Sequence, residues 1–221
     1  MAAATSRSPR FRSPKSRPYG GVSGEKRRAE RRARLIEAAV RVFGEVGYRA
    51  ATVKAVCAAA GLTERYFYES FANSEALLIA AYTHVTDTLH AEMAAAGEGA
   101  PAATRTEAVL TLYFTRLREN PRPARVFLLE MHGISAAVDA VQMEAMRRMS
   151  GVLLPRASAD AYAPMSLTEI GVMGAVVGIA RRWVAQDYRQ PADDVIATAA
   201  QFCRVAMPRV EPKRSIAGRK R

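Results

Sequence analysis

The sequence predicts an all-α protein of about nine helices, with an N-terminal three-helix helix-turn-helix domain followed by a C-terminal helical domain. Three observations carry this. Apolar residues recur at helical spacing in nearly every segment, and no segment alternates as a strand would. Alanine, the strongest helix former, is abundant, while glycine and proline fall mainly between the periodic segments. Helix-start residues stand where each new period begins.

Taken in order, the first helix runs from Glu25, with Leu35, Ala38, Ala39, Val42 and Phe43 on one face, and Gly47 placed to end it. Thr52 starts a second helix that closes at Gly61. Thr63 starts a third that ends near Phe71. Asn73 or Ser74 caps the fourth, which buries Leu77, Leu78, Ala81 and Val85. The run AAAGEGAPAA over 94–103 reads as a break, and Thr104 with Glu107 as a capping box opening the fifth helix. Asn120 to Pro123 ends that helix. A short helix over 124–132 stops at Gly133, and Ser135 caps another that reaches about Leu154. Residues 155–165 form a loop. Ser166 and Glu169 make a second capping box, for a helix through Trp183 to about Tyr188. Pro191, followed by Asp193 and Asp194, opens the last helix, which stops at Pro208.

The net charge of +12 is unevenly spread. Residues 1–80 hold 15 Lys or Arg against 7 Asp or Glu, residues 81–208 hold 12 against 13, and residues 209–221 hold 6 against 1. A polyanionic partner is therefore expected for the N-terminal third and the tail, beside a neutral middle. The expected divisions are a basic, disordered arm over 1–22, a helix-turn-helix domain over 23–80, a helical domain over 81–208 and a basic tail over 209–221. Arg7, Arg10, Arg12, Lys15 and Arg17 make the arm either a flexible DNA contact or a solubilising segment. The N-terminus lacks the apolar stretch of a secretory signal, and no run is apolar enough to span a membrane. Cys57 and Cys203 sit in apolar helical patterns, as buried thiols in a reducing, cytoplasmic setting would.

The most informative stretch is TVKAVCAAAGLTERYFYESFANSEALL, residues 52–78. Two helices crossing at a wide angle need a tight turn, which Gly61 allows, and a small residue at their contact, which Cys57 provides. Val56, Leu62, Phe67 and Phe71 can pin the second of them onto the first. Thr63, Glu64, Arg65 and Tyr66 remain at the exposed start of the third helix, where a recognition helix meets base edges. Arg65 is the leading reader, because a guanidinium binds guanine O6 and N7 together. Thr52, Lys54 and Tyr68 suit backbone phosphates.

The pattern RLIEAAVRVFGEVGYRAATVKAVCAAAGLTERYFYESFANSEALL over 34–78 resembles the N-terminal domain of TetR-family regulators. Phe43, Gly47, Tyr48, Thr52, Ala60, Gly61, Tyr68, Phe71, Glu75 and Leu77 hold the family's spacing. Three positions depart from it. Ser74 stands where a phosphate-binding lysine is usual, Ser70 where histidine is frequent, and Arg65 where glycine is common; the phosphate clamp at helix four is correspondingly weaker.

The resemblance implies a homodimeric transcription regulator, most simply a repressor, that binds a palindromic operator in double-stranded DNA. Residues of about 85–208 would bind a small effector and dimerise. An activator, or an architectural DNA binder indifferent to sequence, is the alternative. For the effector, Phe127, Met131, Met146, Met173 and Trp183 are expected to converge in one apolar cavity and so favour a hydrophobic ligand, although such residues on helices also serve as plain core. Gly171, Gly174 and Gly178 suggest close helix approach, either between subunits or within one. No cofactor or metal is implied: His84, His90 and His132 are spaced wrongly for a ligand set. Nothing resembles a nucleophile elbow, a phosphate loop or a catalytic carboxylate pair, so an enzyme is disfavoured.

Overall fold

The computed structural model describes residues 21–154 and 164–206. Nine helices make up these described residues: α1 (Gly21–Val46), α2 (Val53–Ala60), α3 (Glu64–Tyr68), α4 (Ser74–Gly99), α5 (Arg105–Glu119), α6 (Pro121–Leu128), α7 (Ala136–Leu153), α8 (Leu167–Ala185) and α9 (Ala192–Ala206). The arm up to residue 20, most of the 155–165 loop and the tail lie outside the described residues.

Most helix ends follow from the residues expected to make them. The Thr52, Asn73 and Ser135 side chains accept from backbone N–H groups of the first turns of α2, α4 and α7. Asn73, rather than Ser74, is therefore the cap of α4. Ser166 and Glu169 form the full reciprocal box.

Several boundaries differ from expectation. α1 begins at Gly21, four residues early. α4 runs on through the expected break to Gly99. Gly97 is buried there against α5, where a Cβ would stand 3.2 Å from Val109 Cγ2, so this glycine permits a helix contact instead of ending a helix. Thr104 makes no capping bond; its hydroxyl donates to the Pro101 carbonyl at 3.3 Å. α6 starts at Pro121, a residue suited to a first helical turn, and finishes at Leu128, well before Gly133. α8 stops at Ala185 because the chain turns back, with Tyr188 N–H donating to the Trp183 carbonyl at 2.9 Å.

One hydrophobic core runs through the whole described molecule, from Leu35 and Phe43 in α1 to Cys203 in α9. α1 lies on α6 as well as on α2 and α4. Its approach to α6 is close: a Cβ on Gly44 would meet the Arg122 backbone at 2.7 Å. Just beyond, Tyr48 N–H donates to the Glu130 carboxylate at 2.7 Å, and Arg49 donates to the Gly133 carbonyl at 3.3 Å. Arg122 pairs with Glu45 at 2.7 Å, and the Ser135 hydroxyl donates to Glu75 at 2.8 Å. The end of α1 and the start of α4 are thus held to α6, the turn after it and the start of α7.

Candidate DNA-binding interface and interior cavities

Gly61 adopts a left-handed conformation, φ 62°, between α2 and α3. Leu62 N–H then closes the turn on the Cys57 carbonyl at 2.9 Å. Phe67 is fully buried and Val56, Cys57 and Phe71 nearly so, which sets α3 firmly across α2. α1 braces the same turn. Arg34 donates to the Ala60 carbonyl at 2.6 Å and Arg41 to the Ala59 carbonyl at 2.9 Å, so two cations satisfy the open C-terminal carbonyls of α2.

Thr63, Glu64 and Arg65 are exposed at the start of α3, as expected of readers. Arg65 is 84% exposed, and its Nε lies 3.1 Å from Glu69. An exposed pair one helical turn apart contributes only about 0.3–0.5 kcal/mol, so Glu69 holds the guanidinium weakly. Tyr66 is placed differently. It is half-buried under the Arg31 guanidinium, 4.4 Å from its ring centroid, and Arg31 also reaches Glu69 at 3.7 Å. Its ring therefore helps to fix α1 to α3. Tyr68 is 62% exposed, Lys54 is exposed in the first turn of α2, and Thr52 is exposed while its hydroxyl oxygen caps α2. Ser74 is half-buried.

The sequence reading missed Arg31, Arg34 and Arg41. Their spacing of three and seven places them along one side of α1, which was the available signal. It also missed Lys26, Arg27 and Arg28, which are exposed and form no ion pair among the described residues.

The five expected effector residues do not share one cavity. Phe127, Met146 and Met173 line a cavity of about 290 Å³, together with Tyr82, His132, Asp139, Gln142, Met143, Met149 and Val177. Met131 is fully buried in the core. Trp183 is enclosed away from this cavity, its ring against Phe114 and Tyr188 and its Nε1–H donating to the Gln190 carbonyl at 2.9 Å. Its remaining edge borders an open groove between α8 and α9. The direction of the Trp183 side chain is settled by the packing of α8 on α5 and α9. Burial, reinforced by Arg181 and opposed by Asp139, holds the His132 imidazolium below its usual range. A second cavity, of about 380 Å³, lies between α1, α4, α5 and α6 and also touches Phe127.

Gly171, Gly174 and Gly178 have open space where a side chain would begin, so none of the other described residues packs on them. Leu167, Ile170, Phe202 and Val205 stand exposed on the same two helices. Among the described residues, no helix is long and apolar enough to cross a membrane.

The family model described as bacterial regulatory proteins, tetR family, matches residues 35–81. No curated protein matches the chain. Among solved structures, the fatty acid degradation regulator FadR of Bacillus halodurans is similar at 19% identity and a TM-score of 0.64, over 78% of this chain and 94% of its own. FadR of Bacillus subtilis, solved with stearoyl-CoA, is 19% identical with a TM-score of 0.61, over 79% and 96%. A TetR family transcription regulator of Marinobacter aquaeolei is 18% identical with a TM-score of 0.59, over 81% and 97%.

Proposed function

Because residues 35–81 make the chain a tetR-family, helix-turn-helix regulator of transcription, we propose that it is a homodimeric repressor released from its operator by a small hydrophobic ligand. The braced α2–α3 unit, with Thr63, Glu64 and Arg65 exposed at the start of α3, is the observation that carries DNA reading. Thr52, Lys54, Tyr68 and Ser74 hold phosphates, joined by Lys26, Arg27 and Arg28 along α1. Dimerisation uses the α8–α9 face, supported by its unfilled glycines and exposed apolar side chains.

The ligand enters the cavity lined by Phe127, Met146 and Met173. The division into a DNA-binding part over 23–80 and an effector part over 81–208 follows the same reading. α6 connects the two: it carries Phe127, and it and the turn after it hold the end of α1 through Arg122 and Glu130. A ligand that favours one position of α6 shifts the spacing of the paired reading heads.

Operator binding is the test. Footprinting should protect a pseudo-palindrome whose half-sites lie about one helical turn, or a multiple, apart. Arg65→Ala should cost about 1–3 kcal/mol and relax base choice at one position in each half-site. Protection of one asymmetric half-site as the full target, or an unchanged preference in Arg65→Ala, would overturn the respective assignment.

A further inference from the structure

We propose that the 380 Å³ cavity between α1, α4, α5 and α6 is a second ligand site, which takes small organic cations: a protonated amine carried on an apolar body. It is distinct from the effector cavity proposed above, since Phe127 is the one residue that lines both.

The cavity has an apolar floor and a polar mouth. Val40, Val85, Leu89, Leu117, Ala124 and Phe127 line it, and each is at most 8% exposed. Glu37, His84, Thr88 and Asn120 line it from exposed positions, with Glu92 and Arg116 half-buried. Its volume falls within the range of small-molecule sites, roughly 300–1,000 Å³. An apolar body seated there covers side chains that otherwise face water, which is favourable in proportion to the area covered. The occupant would touch α1 of the DNA-binding part through Glu37 and Val40, and α4, α5 and α6 on the other sides.

The hydrogen-bonding groups of the mouth set the charge of the ligand. Its donors are largely engaged. Arg116, the one Lys or Arg in the wall, donates from Nε to Glu92 at 2.9 Å and from Nη1 to Glu119 at 2.8 Å. The Thr88 hydroxyl donates to the His84 carbonyl at 3.0 Å, and the Asn120 amide to the Arg116 carbonyl at 3.3 Å. The acceptors remain open. The Glu37 carboxylate makes no hydrogen bond or ion pair among the described residues. Arg41, one turn along α1, is turned to the Ala59 carbonyl instead. The second oxygen of Glu92 and the side-chain oxygen of Asn120 are also left to accept. Glu37, Glu92 and Glu119 outnumber Arg116 three to one. An anionic ligand meets net negative charge there, whereas an ammonium brings three donors, no acceptor and the complementary charge.

The test compares 4-phenylbutylamine, a cation at neutral pH, with the neutral 4-phenylbutanol and the anionic 4-phenylbutyrate, which share its apolar body. Calorimetry on the full chain measures binding. The wild type should bind the amine roughly five- to tenfold more tightly than the alcohol, and the anion most weakly. Added salt should narrow the gap. Glu37→Gln should bring the amine to the affinity of the alcohol and, without probe, melt like the wild type, since this exposed carboxylate holds no other side chain. Thr88→Trp, which fills the mouth from an exposed position, should weaken amine and alcohol alike. An amine that binds no better than the alcohol, or a preference that survives Glu37→Gln, would overturn the proposal. A preference that disappears in Asp139→Asn instead would also overturn it and place the amine in the effector cavity, which Asp139 lines. Failure of the site between α1, α4, α5 and α6 leaves the effector cavity standing, because the two are walled by different charged residues.

Discussion

Gly44→Ala tests the seam between α1 and α6. The added methyl would lie 2.6 Å from Arg122 Cβ and 2.7 Å from its Cα and carbonyl oxygen. Ordinary contact begins near 3.4 Å, so the two helices must part by about 0.8 Å. No side-chain rotation relieves this, since the obstacle is backbone. Overpacking of this kind costs about 1–3 kcal/mol. The 2.7 Å bond from Tyr48 N–H to Glu130 stretches as the seam opens, and a hydrogen bond to a charged group contributes about 1.5–3 kcal/mol. Alanine returns roughly 1 kcal/mol of helix propensity. The net expectation is a loss of about 2–4 kcal/mol, or a fall in Tm on the order of 10 °C for a chain of this size. Thermal melts followed by circular dichroism measure it, and fluorescence anisotropy on the operator should show weakened binding as the reading head is displaced. Gly24→Ala is the control, since it lies in the same helix with nothing within 4 Å of the new methyl; it should be neutral or slightly stabilising. A Gly44→Ala protein that melts at or above the wild type would refute the reasoning.

Two further outcomes follow from the same geometry. Gly174→Ala should stabilise the isolated subunit by about 0.5–1 kcal/mol, because the site is open and helical. It should also weaken the dimer if the α8–α9 faces meet there, so sedimentation showing undiminished association would move the interface elsewhere. The His132 pKa is lowered in the folded protein by burial and by Arg181, so the unfolded chain takes up its proton first. Its effect is absent above the unfolded value of about 6.5, and stability is lost as pH falls below it toward the folded pKa. Between about pH 7.5 and pH 5.5 the wild type should therefore lose more Tm than His132→Asn, as scanning calorimetry can check; an equal or larger loss in the variant would contradict the assignment.

Local chemistry accounts for what was legible in the sequence. Gly61, Thr52 and the Ser166–Glu169 box act within a few residues of themselves, so their spacing announces the α2–α3 turn and the helix starts directly. The buried faces of α1 and α4 were legible for the same reason, since a helical period needs no knowledge of the partner it packs against. The exposure of Thr63, Glu64 and Arg65 at the start of α3 follows from those two facts alone. Where the partner matters, the sequence was silent or misleading. Gly97 looks like a break until α5 lies against it, and Trp183 looks like a cavity wall until Phe114, Tyr188 and Gln190 enclose it. The stacking of Arg31 on Tyr66, which ties α3 to α1, is equally invisible in the sequence. The unpartnered Tyr113 hydroxyl and the close approach of Gly44 to the Arg122 backbone, which leaves no room for a Cβ, exist only between elements distant in the chain. Such features depend on helix packing at sub-ångström precision, which side-chain periodicity does not encode and only the assembled core decides.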